Sequence, residues 1–208
     1  MAVLATPSVA GAAPPGVNGE AYAAALLEDV CDLVATMSGV RVLLAACPRT
    51  HADAVADAAW PGTRILGLDE AWPGRAAIAV LDAVVAAGSA ATEVVVLAGD
   101  APDLPPLLVA KLFAALDRAD IAVCPAEDGG LVALGVRLPL ADWVRAAEVS
   151  LDTEDALERL SAVAPKRRSL AVGPGWRRMR RPEDIGRLDP GLEGWEATRD
   201  LLSGGAPR

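Results

Sequence analysis

Aromatic side chains are scarce in this sequence, 3% of 208 residues, while hydrophobic residues make up 53%, so the core must be largely aliphatic. Histidine is scarcer still. With His51 alone, a metal centre built on histidines is not expected. The three cysteines, Cys31, Cys47 and Cys124, are odd in number and scattered without metal-ligand spacing. They read as buried thiols of a reducing cytoplasm and not as a disulfide framework. No apolar run reaches the roughly 18 residues that would suggest a membrane span. The first cation is Arg41, so the basic start of a secretory signal is missing and the expected location is cytoplasmic. A formal net charge of −9 argues against a general affinity for nucleic acid or anionic membrane. Neither a Gly-x-Ser-x-Gly elbow nor a Walker-type Gly-Lys-Ser/Thr occurs.

What is present alternates between strand and helix signals. Residues 1–208 fit one domain, with strands expected at Ala2–Ala5, Val40–Ala46, Thr63–Leu66, Val94–Leu97, Ile121–Cys124 and Leu131–Val136. Helical periodicity lies between them. Glu20–Met37 carries Leu26, Leu27, Val30, Leu33 and Val34 on one face, His51–Trp60 turns Val55 inward, and Arg75–Ala87 carries Ile78, Leu81, Val84 and Val85. This alternation predicts βαβ units and a largely parallel sheet, an α/β fold. The stretch 137–208 is less regular. Helices are expected at Leu140–Ala147 and Thr153–Val163, a strand at Lys166–Val172, a short helix from Pro182 and a frayed tail from residue 203.

The chain is organised around Val94–Gly135. A buried strand ends at Ala98-Gly99, and Asp100 and Asp103 follow, with Pro102 between them and Pro105-Pro106 opening a helix. Carboxylates placed there can hold Mg2+ or Mn2+, hard cations that prefer oxygen ligands. The alternative is structural: Asp103 caps the helix and Asp100 fixes the turn. A second acidic loop, Glu127-Asp128-Gly129-Gly130, follows the next strand. Its glycines let backbone approach a ligand closely, and Asp128 can accept hydrogen bonds from a base, sugar or acceptor hydroxyl. Read alone, it is equally a glycine turn between two strands.

Ala-Gly-Asp-x-Pro-Asp-Leu-Pro, followed by Pro-Ala-Glu-Asp-Gly-Gly and an apolar strand, resembles the bacterial glycosyltransferase-A-like proteins of largely uncharacterised function. These belong to the nucleotide-diphospho-sugar transferase superfamily, with molybdenum-cofactor guanylyltransferases and sugar-phosphate nucleotidylyltransferases. The resemblance implies a Rossmann-like three-layer α/β/α fold with a mostly parallel mixed sheet. It implies a transferase binding a nucleotide or sugar nucleotide and a small-molecule acceptor. Asp100 matches the superfamily's metal-binding aspartate, with Asp103 assisting; Asp103 and the loop Glu127, Asp128, Gly129 and Gly130 match positions lining the acceptor or sugar side, where Asp128 would position the acceptor. Arg75, after Trp72-Pro73-Gly74, is a candidate phosphate or base contact.

Two departures stand against activity. The loop after the first strand, Ala5–Gly16, keeps Gly11 for the turn but lacks the Lys-Thr-Arg-like cations that grip phosphates in relatives; backbone N–H groups would have to serve instead. Near the end, relatives carry Asp-x-Asp-Thr-Pro-Glu-Asp-Leu, whereas this chain has Arg178-Met179-Arg180-Arg181-Pro182-Glu183-Asp184-Ile185. Arg180 stands at an acidic ligand's place, and a guanidinium cannot ligate a cation, though it can clamp phosphate. Either Arg177, Arg178, Arg180 and Arg181 have taken over phosphate neutralisation, or the site has decayed and the protein is a ligand- or partner-binding module.

Overall fold

A computed structural model describes residues 1–69 and 75–204. Among these residues, seven short strands form one sheet: β1 (Ala2–Ala5), β2 (Leu43–Ala46), β3 (Arg64–Gly67), β4 (Glu93–Ala98), β5 (Ile121–Pro125), β6 (Leu131–Arg137) and β7 (Leu170–Val172). Their order is β3-β2-β1-β4-β6-β5-β7. All neighbours run parallel except β6, which is antiparallel to both β4 and β5. This is the mixed, mostly parallel α/β sheet expected. Strands covered on both faces should read as continuous apolar runs, and Val94–Leu97 and Leu131–Leu134 are buried throughout.

Helices α1 (Gly19–Ala35), α2 (Ala52–Ala56) and α4 (Pro106–Leu116) lie on one face, where Leu27, Val30, Leu112 and Leu116 pack on Val3, Leu97 and Ala133. Helices α3 (Ala76–Ala86), α5 (Asp142–Ala146) and α6 (Ala156–Val163) supply Ile78, Leu81, Val144 and Leu160 to the other, against Val96, Leu134 and Val136. Full burial of each such side chain stabilises by roughly 1.5–3 kcal/mol. A third cluster joins Val9, Ala12, Tyr22, Leu26, Met179, Leu188 and Trp195. It ties the stretch after β1 to the end of the chain.

Local chemistry sets the helix ends. Asn18 caps α1 by accepting from the Ala21 N–H at 2.9 Å. Pro106 opens α4, where its missing N–H costs nothing. Several boundaries differ from the periodicity. Residues 7–12, expected as an irregular loop, form a 3-10 helix. The expected helices at 51–60, 140–147 and 153–163 shorten to α2, α5 and α6, and β7 is preceded by a 3-10 turn at Arg167–Ser169. Helix α7 (Glu196–Leu202) has no counterpart among the expectations. Its seven residues are too few to show a period, and its anchor is remote: Asp29 of α1 accepts from the N–H groups of Ala197 (2.8 Å) and Thr198 (3.0 Å) and from the Thr198 hydroxyl (2.5 Å). The expected tail overlaps residues 205–208, which lie outside the described residues. No helix among the described residues is long and apolar enough to cross a membrane.

Candidate functional site

Because β1, β4 and β5 share one direction, the segments leaving their carboxyl ends meet along one rim. Asp100 leaves β4, and the Glu127–Gly130 loop leaves β5 as the turn into β6. That turn is closed by Ala126 N–H to Gly130 O at 3.0 Å and Gly129 N–H to Ala126 O at 3.3 Å. Both glycines adopt positive φ, +96° and +76°, the left-handed conformation that only glycine enters readily. The stretch Trp176–Arg180 crosses this rim in extended form. Met179 donates its N–H to Asp100 O at 2.8 Å and buries its side chain in the third cluster. The alternation of an extended chain turns Arg178 and Arg180 the other way.

Arg178 meets Asp100 there. Its Nε donates to Oδ1 at 2.6 Å and its Nη2 to Oδ2 at 2.8 Å. Its Nη1 lies 3.1 Å from Leu131 O, 3.1 Å from Leu151 O and 2.8 Å from the Asp152 carboxylate. The Arg178 and Asp100 side chains are 4% and 2% exposed. Burial pulls the Arg178 pKa down, but Asp100 and then Asp152 outweigh it and leave the guanidinium above its ordinary value. Asp103 is held in parallel fashion by Trp176 Nε1 at 3.0 Å and by the Arg177 guanidinium. Arg177 also stacks on the Trp176 ring, 4.7 Å from its centroid. Asp103 therefore does not cap α4; Pro105 occupies the cap position.

Arg180, the candidate phosphate clamp, holds the glycine turn. Its Nη1 donates to Gly129 O at 2.8 Å and its Nη2 to Leu151 O at 3.3 Å. Burial, and then the like charge of Arg178, pull the Arg180 pKa below its ordinary value against the opposing pull of Asp100, Asp152 and Asp128. Glu127 pairs with Arg187. Asp128 is half-buried, and its Oδ1 is buried with no hydrogen-bond partner.

The other candidates fall elsewhere. Gly11 sits in the 3-10 helix at Pro7–Ala12 and faces open space. That helix closes down on α1, since a Cβ on Gly19 would lie 2.6 Å from Ala10 O. Asn18 already accepts from the Ala21 N–H, which takes one of the first donors of α1, while Asn18 and Glu20 themselves are exposed. Between β1, α1 and α2 lies a cleft of about 190 Å³ lined mainly by Val9, Ala24, Leu27 and Val55, with Glu20 and His51 at its edge. Arg75 stands at the start of α3, and residues 72–74 before it lie outside the described residues.

The donors the sequence offers a divalent metal are thus engaged by arginine: both Asp100 oxygens by Arg178, and Asp103 by Arg177 and Trp176. Among the described residues no group of three or more His, Cys, Asp or Glu side chains is arranged to hold a metal ion. Sequence reasoning missed Arg178 as the partner of Asp100, and Asp152 as its second carboxylate. The signal was available for the first: Arg-Met-Arg around one buried methionine is an alternating pattern.

The mixed sheet and its order agree with comparisons to known proteins. The model of the family described as "Uncharacterized protein conserved in bacteria (DUF2064)" matches residues 30–151, and the chain belongs to that family. No curated protein matches the chain. Among solved structures, a protein of Desulfovibrio desulfuricans provisionally described as a nucleotide-diphospho-sugar transferase superposes with a TM-score of 0.66 at 18% identity, over 97% of this chain and 95% of the other. The 4-diphosphocytidyl-2C-methyl-D-erythritol synthase of Anaerococcus prevotii gives 0.62 at 13%, over 97% and 96%. A CMP:2-keto-3-deoxy-manno-octonic acid synthetase complexed with CTP gives 0.57 at 12%, over 90% and 95%. These likenesses establish the nucleotide-diphospho-sugar transferase fold.

Proposed function

We propose that this chain is a ligand-binding module on a nucleotidyltransferase-like scaffold, and that its carboxyl-edge site works without a divalent cation. The buried, bidentate Asp100–Arg178 pair carries this reading. A carboxylate with both oxygens on an internal guanidinium and its side chain only 2% exposed offers little to an ion on the open side of the rim. Each of the three Arg178 nitrogens likewise has an acceptor within the protein, which leaves it poorly placed to grip a phosphate. The free, buried cysteines suit the cytoplasmic setting proposed for it.

The test is a thermal-shift panel of CTP, GTP, UDP-glucose and GDP-mannose, each in EDTA and in excess MgCl2 or MnCl2. Ligand that binds the native state raises its melting temperature by mass action. Any ligand that shifts the melting point is expected to do so equally in EDTA and in metal. A shift that appears only with metal refutes the reading.

A second reading, a nucleotidyl- or glycosyltransferase with Asp128 positioning the acceptor, draws on one observation. Asp128 is only half-buried in the turn at the rim, so an acceptor hydroxyl has a carboxylate to meet. Product formation from a sugar nucleotide, lost in Asp128→Asn, would establish it.

A further inference from the structure

The parallel strands β1 to β4 have a second edge, at their amino ends, away from the rim described above. A groove of about 520 Å³ lies there, between the starts of β2, β3 and β4 and the last turn of α3. That volume falls within the range of small-molecule sites, about 300–1,000 Å³. On the α3 side its floor is apolar, because Leu43 and Leu66 are partly buried against the cluster that holds Val84. Arg41 and Arg64 line the same groove. The Met1 amino group donates to Arg41 O at 2.6 Å and the Leu43 N–H to Met1 O at 3.0 Å, which carries the β1–β2 ladder back to Arg41. Arg64 lies opposite Leu43 in the β2–β3 register, and Arg41 stands two residues before Leu43. Alternation along a strand therefore puts both arginines on the face that Leu43 shares with α3.

Like charges on neighbouring strands repel, and this pair is uncompensated. Neither guanidinium has a hydrogen-bond or ion-pair partner among the described residues, whereas Arg145, Arg159 and Arg187 each find a carboxylate. The acidic residue of the lining, Glu93, alternates with Val94 and so faces the opposite cluster, with Val95 and Phe113. We propose that this groove binds an amphipathic anion, with a carboxylate or phosphate head on Arg41 and Arg64 and an aliphatic or aromatic body over Leu43, Leu66 and Val84. Guanidinium forks match the oxygens of either head. The carboxyl end of α3 carries partial negative charge, so the head is directed to the arginine end and the body to the helix end. Both arginines are exposed, and solvent and salt screen them; the head alone therefore gains little, and the buried area of the body supplies the rest. The groove stands apart from the rim, and the inference is independent of what the rim binds.

The test is isothermal titration calorimetry of the full-length protein with octanoate and with octyl phosphate, against acetate, inorganic phosphate and 1-octanol as head or tail alone. At least one amphiphile is expected to bind saturably at one site, and each lone head and the alcohol at least tenfold more weakly. Arg41→Gln and Arg64→Gln, at exposed positions, should each weaken binding about tenfold, the equivalent of about 1.4 kcal/mol. Ala87→Trp, which adds bulk to the groove wall without changing charge, should abolish binding, and Arg168→Gln, an exposed arginine elsewhere, should leave it unchanged. Binding of one amphiphile and not the other supports the proposal and names the head group. Silence towards both overturns it, as does an affinity unchanged in Arg41→Gln/Arg64→Gln or in Ala87→Trp. Equal affinity for 1-octanol also overturns it, since the arginines then play no part, and so does equal affinity for inorganic phosphate, which leaves the apolar floor without one.

Discussion

Asp100→Asn separates a locking role for this carboxylate from a metal-binding one. An exposed metal ligand can be changed to the amide at little cost to the fold, since its charge is solvated when the metal is absent. Here the substitution leaves Arg178, 4% exposed, facing an amide whose NH2 group points a donor at a donor. Removing one partner of a buried pair typically costs about 3–5 kcal/mol, because the other charge stays buried and uncompensated. Arg178 retains Asp152 and two carbonyls, so the low end, about 3 kcal/mol, is expected. For a chain of this size each kcal/mol moves the melting point by roughly 2–4 °C, giving a fall of about 6–12 °C. Asp152→Asn is the internal control. Its side chain is 50% exposed, and solvent-screened pairs contribute about 0–1 kcal/mol. Urea denaturation followed by circular dichroism, with a thermal scan, measures both. Equal losses for the two variants, or a loss under about 1 kcal/mol for Asp100→Asn, would refute the lock.

Two further outcomes are expected. Gly130→Ala places a Cβ 2.5 Å from Leu151 O and 3.0 Å from Arg180 Nη2 at φ +76°, so it should cost about 1–3 kcal/mol; Gly11→Ala, facing open space, should stay within about 0.5 kcal/mol, as urea midpoints will show. Burial pushes the Asp29 carboxyl from 3.8 up to about 7, against the lowering effect of its bonds to Thr198 and Ala197. Since the folded state then binds a proton that the unfolded chain has released, stability should fall as pH rises from about 4 to about 7 and level off above; Asp29→Asn should flatten that slope in urea melts taken across this range.

The sheet was legible because its strands are contiguous apolar runs, Val94–Leu97 above all, and because glycine and proline punctuate them. The rim was legible for the same reason: Asp100 and the Glu127–Gly130 turn lie beside strands that can be read locally. The lock was not. Arg178 meets Asp100 at a sequence separation of 78, and α7 is fastened to Asp29 at a separation of 168. Neither connection has a local period, and no single window contains both partners. The arginine run itself was visible, but which member faced inward depended on Met179, whose burial is set by the third cluster and not by its neighbours in sequence. The loop after β1 was misjudged for a related reason. Its alanines and prolines look like a flexible connection until Val9 and Ala12 find Tyr22 and Trp195.

A positive charge that belongs to the polypeptide differs from a soluble ion in its supply. The tether fixes its stoichiometry at one and its effective concentration far above that of any free solute. Chelators cannot strip it, and fluctuating magnesium or manganese levels cannot change its occupancy. The carboxylates around it are consequently neutralised from the moment the chain folds, so that the state of this edge is dictated by folding and no longer by the ionic composition of its surroundings.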